Sequence, residues 1–149
     1  MFSGRTALNV DAKGRMAIPT RYRERLQEAC EGRLVLTQHP YDGCLALYPE
    51  DKWQKIAESV ASLPDSAPEV RYLKRRFLGQ AVEVDMDGNG RFLIPTELRE
   101  LIQLHKKAML VGQITRFEIW SEESWLAEQE KYQELTPEAM PAVVQELAF

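Results

Sequence analysis

An aspartate and an arginine recur at one spacing in two places along the chain. Asp11 and Arg15 lie four residues apart, and Asp87 and Arg91 repeat that spacing. An arginine at the edge of a tight turn can bind a phosphate, and its planar guanidinium can also pair with the edge of a guanine. The spacing equally suits an ion pair that only stabilises the turn. The two roles are compatible, because the carboxylate can hold the arginine in the orientation that a phosphate requires.

The two turns differ in charge. Gly14 and Gly90 provide the backbone freedom of a tight turn. Lys13 precedes the first glycine, whereas Asn89 precedes the second. The first turn therefore offers two cations to an anionic partner, and the second offers one.

A calcium loop is the main rival interpretation of the second turn. Residues 85–90 match the first half of an EF-hand loop. The bidentate glutamate of such a loop is missing, since Thr96 stands at its position and Pro95 precedes it. In the first turn, Lys13 occupies a ligand position. Calcium is therefore disfavoured, and we expect no metal and no cofactor.

Enzyme signatures are also missing. The chain has no G-x-S-x-G elbow and no dinucleotide or Walker spacing. Its two histidines, His39 and His105, are too few for a His-rich metal site, and neither recurs in the repeat. We expect no enzymatic activity and no small-molecule substrate.

Both turns belong to a longer internal repeat. Residues 10–26 and 86–102 share eight identities in 17 aligned positions without a gap. The similarity continues from Leu34 to Trp53 and from Leu110 to Trp125, with four extra residues in the first copy. Each copy alone would have a marginal core, so we expect the two copies to pack on each other.

Alternation, helical spacing and the proline positions predict the same order of elements in each copy. Strands are predicted over 5–10, 15–18, 34–37 and 44–48, and again over 81–86, 91–94, 109–111 and 116–120. Helices are predicted to begin at Pro19, Pro49, Pro68, Pro95 and about Glu122. The expected division is a first unit with its helix over 1–63, a linker and basic helix over 64–79, a second unit over 80–135 and a tail over 136–149.

Four apolar or basic features have expected roles in the fold. Trp53 and Trp125 stand at equivalent helix positions and are expected to be core anchors rather than a stacking platform. The Arg71–Arg76 segment holds four cations, which could form a solvated face, a phosphate contact or a subunit contact; we expect a solvated face or a subunit contact. The helix after Pro49 has an apolar stripe that is expected to be buried, formed by Trp53, Ile56, Ala57, Val60 and Leu63. The tail is expected to pack as a small helix through Ala142, Val143 and Leu147.

The charge of the chain is segregated. The 149 residues carry a net charge of −4, which by itself argues against a nucleic-acid partner. Residues 1–33 carry seven basic and four acidic side chains, whereas residues 117–149 carry eight acidic side chains and one basic. The acidic average therefore conceals a basic N-terminal region. No secretory signal or membrane span is visible, and Cys30 and Cys44 are expected to be reduced thiols in a cytoplasmic protein.

The repeated segments DAKGRMAIPTRYRERL and DGNGRFLIPTELRELI resemble the MraZ family, with its two tandem SpoVT-AbrB-type units and a D-x-x-x-R motif in each. Residues 2–11 and 75–79 resemble it as well, so the resemblance covers essentially the whole chain. It implies an α+β, β-rich fold. Two AbrB-like swapped-hairpin β-barrel units would form a pseudo-twofold pair within one chain, with flanking helices.

The resemblance also implies a function. It indicates a bacterial, cytoplasmic and nucleoid-associated regulator that binds repeated elements upstream of the cell-division and cell-wall gene cluster, including its own promoter. It further implies assembly into closed rings. The alternative is an AbrB-like module that binds a protein partner and has no direct role on DNA.

Carried over by position, the family motif falls on Asp11 and Arg15 and on Asp87 and Arg91. We expect Arg15 and Lys13 to enter a DNA groove. The expected phosphate contacts are Arg5, Arg21 and Arg23. The second copy has Glu97 where the first has Arg21 and Asn89 where it has Lys13, so Arg91 is expected to contribute less. The turns are expected to be shaped by Asp11, Gly14, Asp87 and Gly90.

Overall fold

The same order of elements is present in both copies, as the repeat predicts. The computed structural model describes residues 1–149. The first copy contains β1 (Arg5–Asn9), β2 (Arg15–Ala17), α1 (Thr20–Cys30), β3 (Arg33–Gln38), β4 (Leu45–Pro49) and α2 (Glu50–Ala61). The second copy follows α3 (Pro68–Phe77) and contains β5 (Val82–Asp85), β6 (Arg91–Leu93), α4 (Thr96–Leu101), β7 (Lys107–Gly112), β8 (Phe117–Ser121) and α5 (Glu122–Lys131). The tail holds a 3₁₀ turn (Pro137–Ala139) and α6 (Ala142–Gln145).

The two copies contribute strands to each other. β1 of the first copy pairs antiparallel with β7 of the second, and β5 of the second pairs antiparallel with β3 of the first. The β3–β4 and β7–β8 hairpins join through β4 and β8. The result is a six-stranded sheet in the order β1-β7-β8-β4-β3-β5. β2 and β6 form a separate antiparallel pair, which we call the ribbon.

One apolar core serves both copies. It comprises 22 buried residues drawn from both halves of the chain. Met16 and Phe92 face each other in the ribbon and point into this core, each with 1% of its surface exposed. Phe2, Tyr22 and Phe117 pack together with ring centroids 4.6 to 5.6 Å apart. The expectation that the two copies pack on each other is confirmed.

The predicted apolar stripe on α2 is only partly correct. Val60 is buried, and Trp53 packs against Tyr48 and Phe77 in a second, smaller core. Ile56, in contrast, is 37% exposed. At 100° per residue it lies about 60° to one side of Trp53, beyond the edge of α2 that contacts the sheet. Leu63 follows the end of the helix and is also exposed.

Three of the four basic residues of α3 donate hydrogen bonds within the chain. Lys74 Nζ donates to the carbonyl of Leu63 at 2.6 Å and to the Asp65 carboxylate at 2.6 Å. Arg76 Nε donates to the carbonyl of His39 at 2.7 Å. Arg71 donates to the carbonyls of residues 65 and 66. These three cations tie α3 to the neighbouring loops, and the expected solvated face or subunit contact stays a prediction.

The tail does not pack as expected. α6 has only four residues, and Val143 and Leu147 are 70% and 58% exposed. A surface concavity in this region is bordered by Leu135 and by the tail residues Met140, Val144, Leu147 and Phe149. None of the helices is both long enough and apolar enough to cross a membrane. Cys30 and Cys44 are buried free thiols, as expected.

We predict that Gly90→Ala destabilises the protein more than Gly88→Ala. Gly90 has a φ of +75°, and a Cβ there would overlap the side chain of Arg23, whereas a Cβ at Gly88 would meet no atom within 4 Å. The free energy of unfolding should fall by about 1–2 kcal/mol or more for Gly90→Ala. For Gly88→Ala it should change by less than about 0.5 kcal/mol. Urea unfolding measures both values, and equal losses would contradict the prediction.

Candidate nucleic-acid interface

The two D-x-x-x-R turns lie at opposite ends of the ribbon, and each supplies the arginine that begins a ribbon strand. Arg15 lies opposite Leu93, and Ala17 lies opposite Arg91. Alternate residues of a strand face opposite sides, so these four share the outer face while the residues between them point into the core. The arginines form a diagonal pair with Cα atoms roughly 7–8 Å apart. The repeat thus places two guanidinium groups side by side on an accessible surface.

Asp11 organises the first turn. Its Oδ1 accepts from the backbone N–H groups of Lys13 and Arg15, and its Oδ2 accepts from Arg15 Nε, all at 2.9 Å. The backbone N–H of Arg15, followed by its guanidinium, holds the pKa of Asp11 below the ordinary value. The terminal nitrogens of Arg15 remain free for a ligand. Asp11 therefore fixes the orientation of Arg15 without exhausting its donors.

The second turn holds its arginine less tightly. Asp87 Oδ1 accepts from the backbone N–H groups of Asn89 at 2.8 Å and of Arg91 at 2.9 Å. The Arg91 N–H again lowers the pKa of this carboxyl group. Arg91 Nε, however, lies 3.7 Å from Asp87 Oδ2, too far for a hydrogen bond. The side chain of Arg91 is thus less well oriented than that of Arg15.

Arg99, a residue of the second copy, supports the first turn. Its guanidinium lies against Gly14, where an added Cβ would be 2.9 Å from it. Arg99 Nε donates to the carbonyl of Ile94 at 3.0 Å, and the N–H of Ile94 donates to the carbonyl of Gly14 at 2.9 Å. Arg99 is not among the site residues that the sequence predicts. Its recurrence with Arg23 in the repeat was the available signal.

Arg23 makes the reciprocal contact with the second turn. Its side chain lies against Gly90, and its Nε donates to the carbonyl of Ile18 at 2.7 Å. The N–H of Ile18 donates to the carbonyl of Gly90 at 2.8 Å. Arg23 is therefore partly committed to holding the two copies together. Its expected phosphate contact stays a prediction.

The remaining candidate cations fall into two places. Lys13 is exposed in the first turn, beside Arg15. Arg5 is exposed at the start of β1. Arg21 is exposed near that same end of β1, where it donates to Thr6 Oγ1 at 2.9 Å. The structure thus places Lys13 beside Arg15 in the first turn and Arg91 on the same face of the ribbon as Arg15, whereas Arg5 and Arg21 lie at the other end of β1.

One other cluster has residue types that bind metals: His39, Cys44 and Glu118. His39 Nδ1 accepts from the backbone N–H groups of Tyr41 at 3.1 Å and Asp42 at 2.9 Å, which assigns the ring proton to Nε2. A ligating histidine normally donates through its other nitrogen, which is not possible here. Burial also raises the pKa of the Cys44 thiol, which disfavours the thiolate that binds metals. The cluster instead fits a buried histidine that faces a carboxylate, with 3.4 Å between Nε2 and Oε2.

Together these features define a class of protein. It is a tandem-repeat α+β protein whose two copies share strands and a core, and which presents a pair of D-x-x-x-R turns on one ribbon. The family model of the MraZ protein matches residues 1–76 and again residues 77–143. The chain belongs to the MraZ family.

Curated relatives agree with this membership over most or all of their length. The transcriptional regulator MraZ of Alcanivorax borkumensis is 56% identical over 149 residues, which cover all of both chains. The protein of that name from Shewanella amazonensis is 51% identical over 91% of this chain and 89% of its own. The one from Pseudomonas putida F1 is 47% identical over 85% of this chain and 84% of its own.

We predict that Arg99→Ala loosens the first turn although it lies in the second copy. Loss of its hydrogen bond and packing should cost roughly 1 kcal/mol locally, equivalent to about fivefold faster amide exchange at Gly14 and Arg15. Hydrogen exchange followed by NMR measures these rates. Glu100→Ala, at the exposed neighbouring position, is the control. Unchanged rates at Gly14 and Arg15 would contradict the support by Arg99.

The two turn aspartates predict a dependence of stability on pH. Their pKa values are lower in the folded protein than the value of about 3.9 expected in the unfolded chain. Their contribution to the free energy of unfolding is therefore complete above about pH 4. It is lost as the pH falls towards the pKa values of the folded protein. Asp11→Asn should lose less stability between pH 5 and pH 2 than the unmodified protein, as measured by urea unfolding. Asp85→Asn removes an exposed carboxylate outside the turns and is the control; an equal effect of the two changes would count against the prediction.

Proposed function

We propose that this protein is a transcriptional regulator that binds double-stranded DNA directly and has no enzymatic activity. The observation that carries the proposal is the ribbon, on which Asp11 orients Arg15 while leaving its terminal nitrogens free. The major groove of DNA admits a two-stranded β-ribbon, and arginine pairs there with guanine. The names of the relatives, transcriptional regulator MraZ, support the same function.

In this mechanism the first turn reads sequence and the surrounding cations position the protein. Arg15 and Lys13 enter the groove. Arg5, Arg21 and Arg23 contact phosphates, and Arg91 contributes less because its turn lacks the second cation. The reciprocal strand pairing supports the swapped-hairpin barrel arrangement, with units over 1–63 and 80–135, a linker over 64–79 and a tail over 136–149.

The targets we propose are repeated elements upstream of the cell-division and cell-wall gene cluster, including the protein's own gene. One chain offers few base contacts, so its affinity for a single element is expected to be modest. A closed ring of copies would engage several elements at once and raise the affinity through effective concentration. Such a regulator acts in the cytoplasm on the nucleoid.

We predict that Arg15→Ala abolishes specific binding and leaves assembly intact. Loss of a bidentate contact to a base costs about 1–3 kcal/mol, equivalent to roughly 5- to 150-fold in affinity at each element. A gel shift with the fragment upstream of the protein's own gene, against a shuffled fragment, measures the loss. Size-exclusion chromatography measures assembly. Arg75→Ala, at an exposed arginine on α3, is the matched control.

Arg91→Ala should weaken binding less than Arg15→Ala in the same experiment. Two results would refute the role of the first turn in DNA binding. One is a gel shift by Arg15→Ala equal to that of the wild-type protein, and the other is a loss of DNA affinity in Arg91→Ala as large as or larger than that in Arg15→Ala. The affinity should also fall steeply as the salt concentration rises, because bound phosphates release counterions. No binding to DNA at any salt concentration would favour the protein-interaction module.

A further inference from the structure

A second group of cations lies away from the ribbon. Lys52 and Lys55 on α2 and Arg116 before β8 line a concavity of about 290 Å³, which we call the basic concavity. The hydroxyl-bearing residues Ser59 and Thr115 border it, and no acidic residue does. We propose that the basic concavity binds the phosphate group of a small molecule, either inorganic phosphate or a nucleoside monophosphate.

The cations of the basic concavity have unused donors. Lys52, Lys55 and Arg116 make no side-chain hydrogen bond and no ion pair within the chain. Nearby cations behave differently, since Lys74 and Arg33 are both bonded to carboxylates. Lys52 and Lys55 also lie on one face of α2, three residues apart, where like charges repel. A bound dianion would remove this repulsion and satisfy the donors, and guanidinium and ammonium groups are the usual ligands of phosphate.

The basic concavity is assembled from both copies. Because β4 pairs with β8, α2 of the first copy lies beside the residues that precede β8 in the second. The equivalent place in the other half of the molecule has no cation: Ser124 and Ala127 replace the lysines, and Cys44 replaces Arg116. The cationic character thus comes from three residues that differ between the copies, and not from the shared scaffold.

The position of the concavity separates it from the ribbon. β8 begins beside Gly112, at the end of β7 that pairs with Arg5, whereas the first turn follows the opposite end of β1. The distance between the two ends is about 15 Å, the length of a five-residue strand. A ligand in the basic concavity therefore leaves the outer face of the ribbon open. We therefore infer a small-molecule ligand. Because Arg5, a proposed phosphate contact, lies at the same end of the sheet as the concavity, DNA binding by the test variant is measured as well.

Calorimetry on the full chain tests the proposal with sodium phosphate and, separately, with adenosine monophosphate, in a chloride buffer of matched ionic strength. The test variant combines Lys52→Gln, Lys55→Gln and Arg116→Gln. The control combines Lys106→Gln, Lys107→Gln and Lys131→Gln, which removes the same charge from exposed positions outside the concavity. We expect saturable binding of at least one ligand, lost in the test variant by about tenfold for each cation and kept in the control. NMR shifts on binding should centre on residues 52–59 and 115–116.

Other outcomes would overturn the proposal. No saturable binding of either ligand would do so, and so would an equal loss in the control, which would indicate general charge attraction. If the protein binds neither ligand, the other properties of the test variant show what the cations do. Reduced DNA affinity would assign them to DNA, and reduced self-association would assign them to a second copy of the chain. The unfolding midpoint of the test variant, compared with that of the control, distinguishes lost binding from lost folding. Because Arg15 is unchanged in both variants, the result does not depend on the proposed role of the ribbon.

Discussion

Neither copy of the repeat can bury its own apolar surface, and most of the structure follows from that constraint. The first strand of each copy pairs with the hairpin of the other copy. As a result, β1 forms one edge of the sheet and β5 forms the opposite edge. The ribbon and the shared core arise from the same exchange. The arginine contacts are reciprocal for the same reason, because Arg23 and Arg99 each lie against the turn of the opposite copy. Two D-x-x-x-R motifs that are 76 residues apart in sequence thereby become one surface.

On this shared scaffold, a few substitutions make the two halves unequal. Asp11 bonds the Arg15 side chain, whereas Asp87 stands 3.7 Å from Arg91 Nε. Lys52 and Lys55 lie on the exposed side of α2 beside Arg116, whereas residues 117–149 carry eight acidic side chains and one basic. The net charge of −4 therefore says little about either surface. The duplicated sequence forms the stable shared fold, and the residues that differ between the copies give its surfaces different charges.

The element order and the paired turns were predictable because their signals are local. Gly14 and Gly90 mark turns, prolines mark helix starts, and the repeat tests each assignment twice. The mixed α+β, β-rich class follows from the same signals, and MraZ membership from the repeated motif. The contacts of Lys74 and Arg76 were not predictable, because their acceptors are carbonyls of loops that meet α3 only in the folded chain. The exposure of Ile56 likewise depends on which edge of α2 meets the sheet.

The strand exchange also constrains how the chain folds as it is synthesised. Arg5 pairs with Val111, so β1 has no partner until about three quarters of the chain exists. Contacts between residues so distant in sequence form slowly, because a long loop must close first. Until then β1 and the β3–β4 hairpin are open edges, to which a strand of another nascent chain can add. A chain cut after α3 would keep a complete first motif and lose the partner strands of β1 and β3. The arrangement that joins two turns into one surface therefore also makes the first copy dependent on translation of the second.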